Sequence, residues 1–467
     1  MLNKIANLFI LTPPIVILGL YGLYELLYHK KTKMQYFNVV SLLHMFFSFD
    51  IIKKVESMRS GNAKKNNRKY IIAVIITVLV LFAIASVVLV FRHNDIGNLD
   101  IYDDPYYTEN DKSEDNIKPQ EDDITSKEIF AKYYDKALEK LQNMSLEEKV
   151  GQMFFARFPE SGVIDEIKSQ NPGGYIMFGR DFKNKTKNQI IEEINKCQEN
   201  SKIPLLIGVD EEGGTVVRVS AYKAFADTPF KSPQTLYNEG GFDLIKEDTI
   251  NKAKLLSSLG INVNLAPVCD VTESTSDYMY DRSFGTDKDL TAKFVELVVT
   301  TMNEQNMSSV LKHFPGYGNN VDTHTGVAID KRDIEHFYDI DFVPFKAGIN
   351  ANVQSVLVSH NIVECMDSQK PASISPKVHE ILRDNLNFTG VIMTDDLAME
   401  GIKKYTTDES AAVLAVKAGN DMIISSDLAT QKSEVVEAVK SGDISEEIIN
   451  NAAKRIIAWK YYMGIMN

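Results

Sequence analysis

The stretch Val391–Asp396 reads VIMTDD, an apolar run that ends directly in two carboxylates. From about residue 127 onward, similar short apolar runs alternate with amphipathic stretches that have helical spacing. Such alternation indicates a parallel sheet, and eight strand–helix units suit a closed barrel. We therefore predict an α/β fold, a (β/α)8 barrel of the TIM type, over residues 127–467. An open doubly wound sheet is the alternative, but no GxGxxG motif follows the first strand, which counts against a dinucleotide-binding version.

The positions of the elements follow from the same pattern. The predicted strands are Val150–Ala156, Tyr175–Gly179, Leu205–Asp210, Val263–Val268, Ser308–Lys312, Ser355–Ser359, Val391–Thr394 and Met422–Ser425. The predicted helices include Asn188–Gln198, Lys288–Gln305, Ser410–Ala418 and a final helix over about Ser445–Tyr462.

Residues 1–92 are predicted to form a membrane anchor. Tyr70–Phe91 carries no charge over about 33 Å of helix, which is enough to span a bilayer. The earlier apolar stretch Leu8–Tyr28 contains Pro13, Pro14 and Glu25, so a second span and a kinked interfacial helix both remain open. Basic residues crowd between the two stretches and are expected to stay in the cytoplasm, which places the chain after Phe91 outside the cell.

The next segment, residues 93–126, is acidic and poor in apolar residues, which predicts a disordered tether. The chain as a whole has a formal net charge of −13, which argues against a nucleic-acid partner. Its three cysteines, Cys197, Cys269 and Cys365, have no paired spacing, so neither a disulfide framework nor a zinc ribbon is indicated.

Ionisable residues end four of the predicted strands. Asp210 ends the third, Lys312 and His313 the fifth, His360 the sixth and Asp395 the seventh. Because a barrel enzyme carries its active site at the carboxyl ends of its strands, we expect these side chains to converge on one rim.

A carboxylate at the end of a rigid strand suits a nucleophile or a general base. The residues alone favour Asp395 over Asp396 only slightly, because either aspartate could instead cap the following helix.

A second candidate pair, Asp322 and His324, lies in a loop after the fifth strand. A carboxylate beside an imidazole fixes the tautomer of the ring and stabilises its charged form, so the pair suits an acid/base. A solvated loop with a surface histidine is the plain alternative. Metal ligation by His313, Asp322 and His324 is the functional rival. Barrel metallohydrolases usually place an HxH pair on an early strand, and this chain has none, so neither metal nor cofactor is expected.

Six stretches together resemble glycoside hydrolase family 3, in its β-N-acetylhexosaminidase branch. They are SLEEKVGQMFF, GGYIMFGR, VDEEGGTVVRV, NLAPVCDV with DRSFGTD, KHFPGYG with DTH, and GVIMTDDLAMEGI, within Met144 to about Ser426. The resemblance implies that Asp395 is the nucleophile, that His324 is the acid/base and that Asp322 is the partner of His324. It also implies that an N-acetylglucosamine unit is bound by Asp210, Arg218, Arg282, Lys312 and His313.

The implied activity is that of a retaining exo-β-N-acetylglucosaminidase, acting through a glycosyl-aspartate on cell-wall glycans outside the membrane. A phosphorylase on the same site and a catalytically silent, tethered saccharide-binding protein are the alternatives. The chain departs from the family in two main places. Tyr317 replaces the second histidine of KHFPGHG, and the loop from His313 to His324 is one residue shorter. Asn385, upstream of the nucleophile segment, is a minor departure.

Overall fold

The computed structural model describes residues 128–320, 328–406 and 409–467. The predicted membrane anchor and acidic tether lie outside these ranges, as do Asp322 and His324. Within the described part of the chain, no helix is both long enough and apolar enough to cross a membrane.

Eight parallel strands form the central sheet, and a separate pair of short strands lies outside it. The strands are β1 (Phe154–Arg157), β2 (Gly174–Met177), β3 (Leu206–Val209), β4 (Val263–Asn264), β5 (Ser308–Phe314), β6 (Ile329–Asp330), β7 (Ser355–Val358), β8 (Ile362–Val363), β9 (Val391–Thr394) and β10 (Ile423–Ser425). The order in the large sheet is β10-β1-β2-β3-β4-β5-β7-β9, and a parallel bridge between Met393 and Met422 links its two edges. The sheet is therefore a nearly closed parallel barrel, which confirms the predicted α/β barrel class.

Helices connect the strands and cover the outside of the barrel. They are α1 (Tyr134–Gln142), α2 (Leu146–Gln152), α3 (Val163–Gln170), α4 (Gly179–Phe182), α5 (Lys187–Asn200), α6 (Pro233–Ser258, kinked at Gly240 and Gly241), α7 (Lys288–Glu304), α8 (Ile334–His336), α9 (Phe342–Asn350), α10 (Pro376–Glu380), α11 (Glu400–Lys403), α12 (Ala411–Ala418), α13 (Leu428–Lys440) and α14 (Glu446–Tyr462). Short 3-10 turns lie at Ala131–Tyr133 and Ala372–Ile374, and π-helical turns at Phe337–Asp341 and Ile381–Asn385.

The barrel strands are buried on both faces, as their continuous apolar runs require. The last helix, α14, packs near the amino end of the barrel. Its Trp459 is fully buried, and the indole Nε1 donates a hydrogen bond of 2.7 Å to Oγ of Ser308 at the start of β5. A packed amino end leaves the carboxyl end of the barrel as the place for a site.

The boundaries of two strands differ from the prediction by more than two residues. Val150–Gln152 belongs to helix α2, not to the first strand, because Ser145 and Glu148 form a capping box that starts this helix at Leu146. The fourth strand ends at Asn264, because the N–H of Ala266 donates back to the carbonyl of Asn264 and not to a neighbouring strand. The β6–β8 pair was not predicted, because each strand has only two residues.

Candidate active site

A cleft of about 620 Å³ opens at the carboxyl end of the barrel. Each of the eight barrel strands contributes to its wall, either from its last residues or from the residues just after it. The contributions are Arg157, Ile176, Phe178, Asp210, Leu265, Lys312, His313, Leu357, Asp395 and Ile424. The cleft is thus a product of the fold, because parallel strands bring their ends together at one rim.

Four charged side chains form a continuous network on the floor of this cleft. The Nζ atom of Lys312 lies 2.7 Å from Oδ1 of Asp210 and 2.6 Å from Oε1 of Glu212. Arg282 reaches the same Glu212 carboxylate through two nitrogens, with Nε donating at 3.0 Å and Nη2 at 2.7 Å. Two cations and two carboxylates alternate here, so each buried charge has a partner.

The network keeps Glu212 and Lys312 ionised despite their burial. Burial alone would raise the pKa of Glu212, but the charges of Lys312 and Arg282 outweigh it and hold that pKa well below its usual range. Burial opposes the charge of Lys312 as well, yet Asp210 and Glu212 raise the pKa of this lysine. The floor of the cleft therefore offers fixed ammonium and guanidinium donors to the hydroxyl or amide oxygens of a ligand.

His313 is held between this network and a buried aspartate. Its Nδ1 lies 2.8 Å from Oδ2 of Asp270, and its Nε2 lies 3.3 Å from Nη2 of Arg282. The other oxygen of Asp270 accepts a hydrogen bond of 2.8 Å from the backbone N–H of Tyr317. The Tyr317 ring packs edge-on against the imidazole, with 5.3 Å between centroids. Tyr317, where the family resemblance led us to expect histidine, is therefore a buried support for His313.

Asp395 and Asp396 have different surroundings at the end of β9. The N–H of Asp395 donates to the carbonyl of Val358 at 3.0 Å, and its half-buried side chain lines the cleft. The carboxylate of Asp396 instead accepts from the N–H of Ala398 at 2.9 Å and from Oγ of Ser426 at 2.7 Å. The carboxylate that caps the following turn is thus that of Asp396.

Arg218 reaches the cleft from the loop after β3. Glu211, which is fully buried, anchors that loop by accepting hydrogen bonds from the N–H groups of Arg218 and Val219 at 2.8 and 2.7 Å. The Nε atom of Arg218 is buried and has no hydrogen-bond partner in the described part of the chain.

All five predicted sugar-binding residues, together with Asp395, line this one cleft. Sequence reasoning missed Glu212 and Asp270, although both stand in stretches that carried the family resemblance. His360 lies two residues after the sixth barrel strand, but it is buried and forms hydrogen bonds with Ser373 and the carbonyl of Asp396. In residues 128–320, 328–406 and 409–467, no cluster of three or more His, Cys, Asp or Glu side chains is arranged to hold a metal ion.

A family model and two known relatives match this chain. A model of the glycosyl hydrolase family 3 N-terminal domain matches residues 145–459. The β-hexosaminidase of Xylella fastidiosa strain M23 is 31% identical over 267 residues, which are 56% of this chain and 78% of that protein. The β-hexosaminidase of Haemophilus influenzae is 30% identical over 283 residues, which are 58% of this chain and 77% of that protein.

Two solved structures have a fold similar to that of this chain. The fold is similar to a family 3 β-N-acetylglucosaminidase from Paenibacillus sp. str. FPU-7, with a TM-score of 0.65, 29% identity and 69% of this chain covered. The match spans 63% of the length of that enzyme. A β-N-acetylhexosaminidase from Beutenbergia cavernae superposes with a TM-score of 0.62 and 25% identity, over 68% of this chain and 99% of that one.

Proposed function

The chain belongs to glycosyl hydrolase family 3 and is a glycosidase with β-hexosaminidase relatives, and we propose that it is a retaining exo-β-N-acetylglucosaminidase. Its proposed substrate is a terminal β-linked N-acetylglucosamine of cell-wall glycans. One observation carries the proposal: Asp395 lines the same cleft as Asp210, Lys312 and Arg282. The proposed nucleophile and the charges proposed to bind the sugar thus line one cleft.

The proposed chemistry begins with Asp395. Its carboxylate attacks the anomeric carbon, the bond to the leaving oxygen breaks, and a glycosyl-aspartate forms. Water then cleaves this ester and releases the sugar with its original anomeric configuration. The capping contacts of Asp396 with Ala398 and Ser426 support the assignment of this role to its neighbour.

The acid/base role is proposed for His324, with Asp322 as its partner. His324 donates a proton to the leaving oxygen in the first step and removes one from water in the second. Asp322 keeps the ring oriented and supports its positive charge. Both residues lie outside the described part of the chain, so their roles rest on the DTH motif.

The floor network suits an acetamido sugar. Lys312 and Arg282 are fixed donors for hydroxyl or acetamide oxygens, and Asp210 can accept from hydroxyl groups. The β-N-acetylglucosaminidase activity of the Paenibacillus enzyme supports N-acetylglucosamine as the sugar. The proposed anchor in residues 1–92 would expose the cleft to the wall.

A panel of aryl β-glycosides tests the proposal. We expect turnover of the N-acetylglucosaminide, little turnover of the glucoside, and a free sugar as product whether or not phosphate is present. NMR of the first product should show the β anomer, and mass spectrometry of a slow substrate with the enzyme should place the sugar on Asp395. A sugar phosphate as the main product would favour a phosphorylase. Binding without any turnover would favour a silent saccharide-binding protein.

A further inference from the structure

Arg332 is the centre of a buried cluster beside the cleft that the chemistry above does not use. Its Nε and Nη2 donate to the carboxylate of Asp330 at 3.0 and 2.6 Å, and its Nη1 donates to both oxygens of Asp341 at 3.1 and 2.9 Å. Its guanidinium lies 4.5 Å from the ring centroid of Phe337. The Asp330 and Asp341 side chains are almost completely buried. One guanidinium thus joins two carboxylates through fork-shaped contacts.

The same cluster also contacts the turn that follows His313. Nη2 of Arg332 donates to the carbonyl of Gly316 at 3.2 Å. A Cβ atom on Gly316 would clash with the carboxylate of Asp341, and a Cβ atom on Gly318 would clash with the guanidinium of Arg332. The glycines of the PGYG sequence therefore let the backbone sit directly on this ion-pair cluster.

Residues on both sides of the segment 321–327 meet at the cluster. Asn320, just before the segment, donates from Nδ2 to Oδ2 of Asp330, three residues after it, at 2.6 Å. Oδ2 of Asp330 is also the atom that accepts from Nη2 of Arg332. One carboxylate oxygen, held by one arginine, thus links Asn320 before the segment to Asp330 after it.

We propose that Arg332 is a positioning residue for the acid/base step. Through Asp330, Asn320 and Gly316, it holds the two ends of the segment that carries the proposed acid/base, His324, at fixed places beside the cleft. The inference rests on the proposed function, since it needs His324 to act on the leaving group. Only a planar fork can hold two carboxylates and a carbonyl in these directions, so lysine at this position keeps the charge and loses the geometry.

Substrates with different leaving groups test this role. Arg332→Lys should lower kcat/KM for phenyl β-N-acetylglucosaminide at least about tenfold more than for the 2,4-dinitrophenyl glycoside. The reason is that a good leaving group needs little protonation, whereas a misplaced acid costs up to about a hundredfold. Azide, which reacts with the glycosyl-enzyme without a general base, should restore part of the kcat that the variant loses on the dinitrophenyl substrate.

Arg383 provides a matched control. It is a similarly buried arginine that binds Asp421 at 2.5 Å and the carbonyls of Phe388 and Gly390, but at the amino ends of β9 and β10. Arg383→Lys should lower the melting temperature as much as Arg332→Lys does and leave the ratio between the two substrates unchanged. Asp330→Asn, which breaks the same cluster by another route, should change the ratio in the direction of Arg332→Lys.

The outcomes separate the two proposals. Equal losses on both substrates in Arg332→Lys, or a change confined to KM, would overturn the positioning role while leaving the proposed function intact. If the wild-type protein hydrolyses neither N-acetylglucosaminide, the proposed function fails and this inference fails with it.

Discussion

Lys312 and Glu212 form an ion pair of 2.6 Å in which both side chains are only 3% exposed. Glu212 is shared with Arg282, and Lys312 is shared with Asp210, so the pair lies in the middle of a chain of four charges. Removal of one member leaves its partner as an uncompensated buried charge.

Glu212→Gln should therefore destabilise the protein strongly. We expect the free energy of unfolding, measured in urea, to fall by about 3–5 kcal/mol, because Arg282 loses both of its contacts to a carboxylate. The matched control is Glu160→Gln, whose side chain is 79% exposed in its ion pair with Arg180. That change should cost less than about 1 kcal/mol. If the free energy of unfolding falls as little in Glu212→Gln as in Glu160→Gln, the buried network does not stabilise the fold.

The pH dependence of stability follows from the lowered pKa of Glu212. Because the folded protein prefers the deprotonated carboxylate, this contribution is complete above the ordinary pKa of 4.5 and is lost as the pH falls further, through the pKa of the folded state. The stability difference between wild type and Glu212→Gln should therefore shrink below pH 4.5. Urea unfolding of both proteins over a pH series measures it, and a difference that stays constant in acid would contradict the assignment.

Asp395→Ala and Asp396→Ala should have different effects on catalysis. Loss of the nucleophile should lower kcat by roughly 10⁴-fold or more. Loss of Asp396 removes its contacts with Ala398 and Ser426, so it should cost about 1 kcal/mol of stability and far less activity. Steady-state kinetics on an activated aryl glycoside, together with thermal unfolding, separates the two. If kcat falls more in Asp396→Ala than in Asp395→Ala, Asp396 is the nucleophile instead.

His324→Ala should impair natural substrates more than activated ones. An imidazole acid contributes about 10²–10⁴-fold where the leaving group needs a proton, and much less where it does not. The check is kcat/KM on a disaccharide and on a nitrophenyl glycoside of the same sugar. Losses of equal size on both would count against His324 as the acid.

Lys460 should reduce stability at neutral pH. It is fully buried, its Nζ donates to Gln152 at 2.7 Å, and burial lowers its pKa well below the ordinary 10.5. The unfolded chain binds a proton there that the folded protein releases, so stability rises as the pH approaches 10.5. Relative to Lys460→Met, the wild type should gain up to about 1.4 kcal/mol per pH unit as the pH rises from the lowered pKa of the folded state towards 10.5. The exposed Lys403→Met variant should show no such slope.

Much of the fold could be predicted from the local pattern of apolar and polar residues. The runs that became β9 and β10 were predicted to within one residue, because each is a short apolar run between polar residues. The first strand was misplaced because Val150 and Gly151 continue an apolar pattern into a helix that the Ser145 capping box begins. The β6–β8 pair escaped prediction because strands of two residues have no detectable period.

The sequence by itself determined the barrel class, the strand ends that carry Asp210, Lys312 and Asp395, and the family, because these depend on local periodicity and on motifs. Only the tertiary structure decided which carboxylate partners each cation and which aspartate caps the turn after β9. It alone brought Glu212 to Arg282 and Asp270 to His313. Such pairs join residues far apart in the chain, and their energies depend on distances and burial that arise only when the barrel closes.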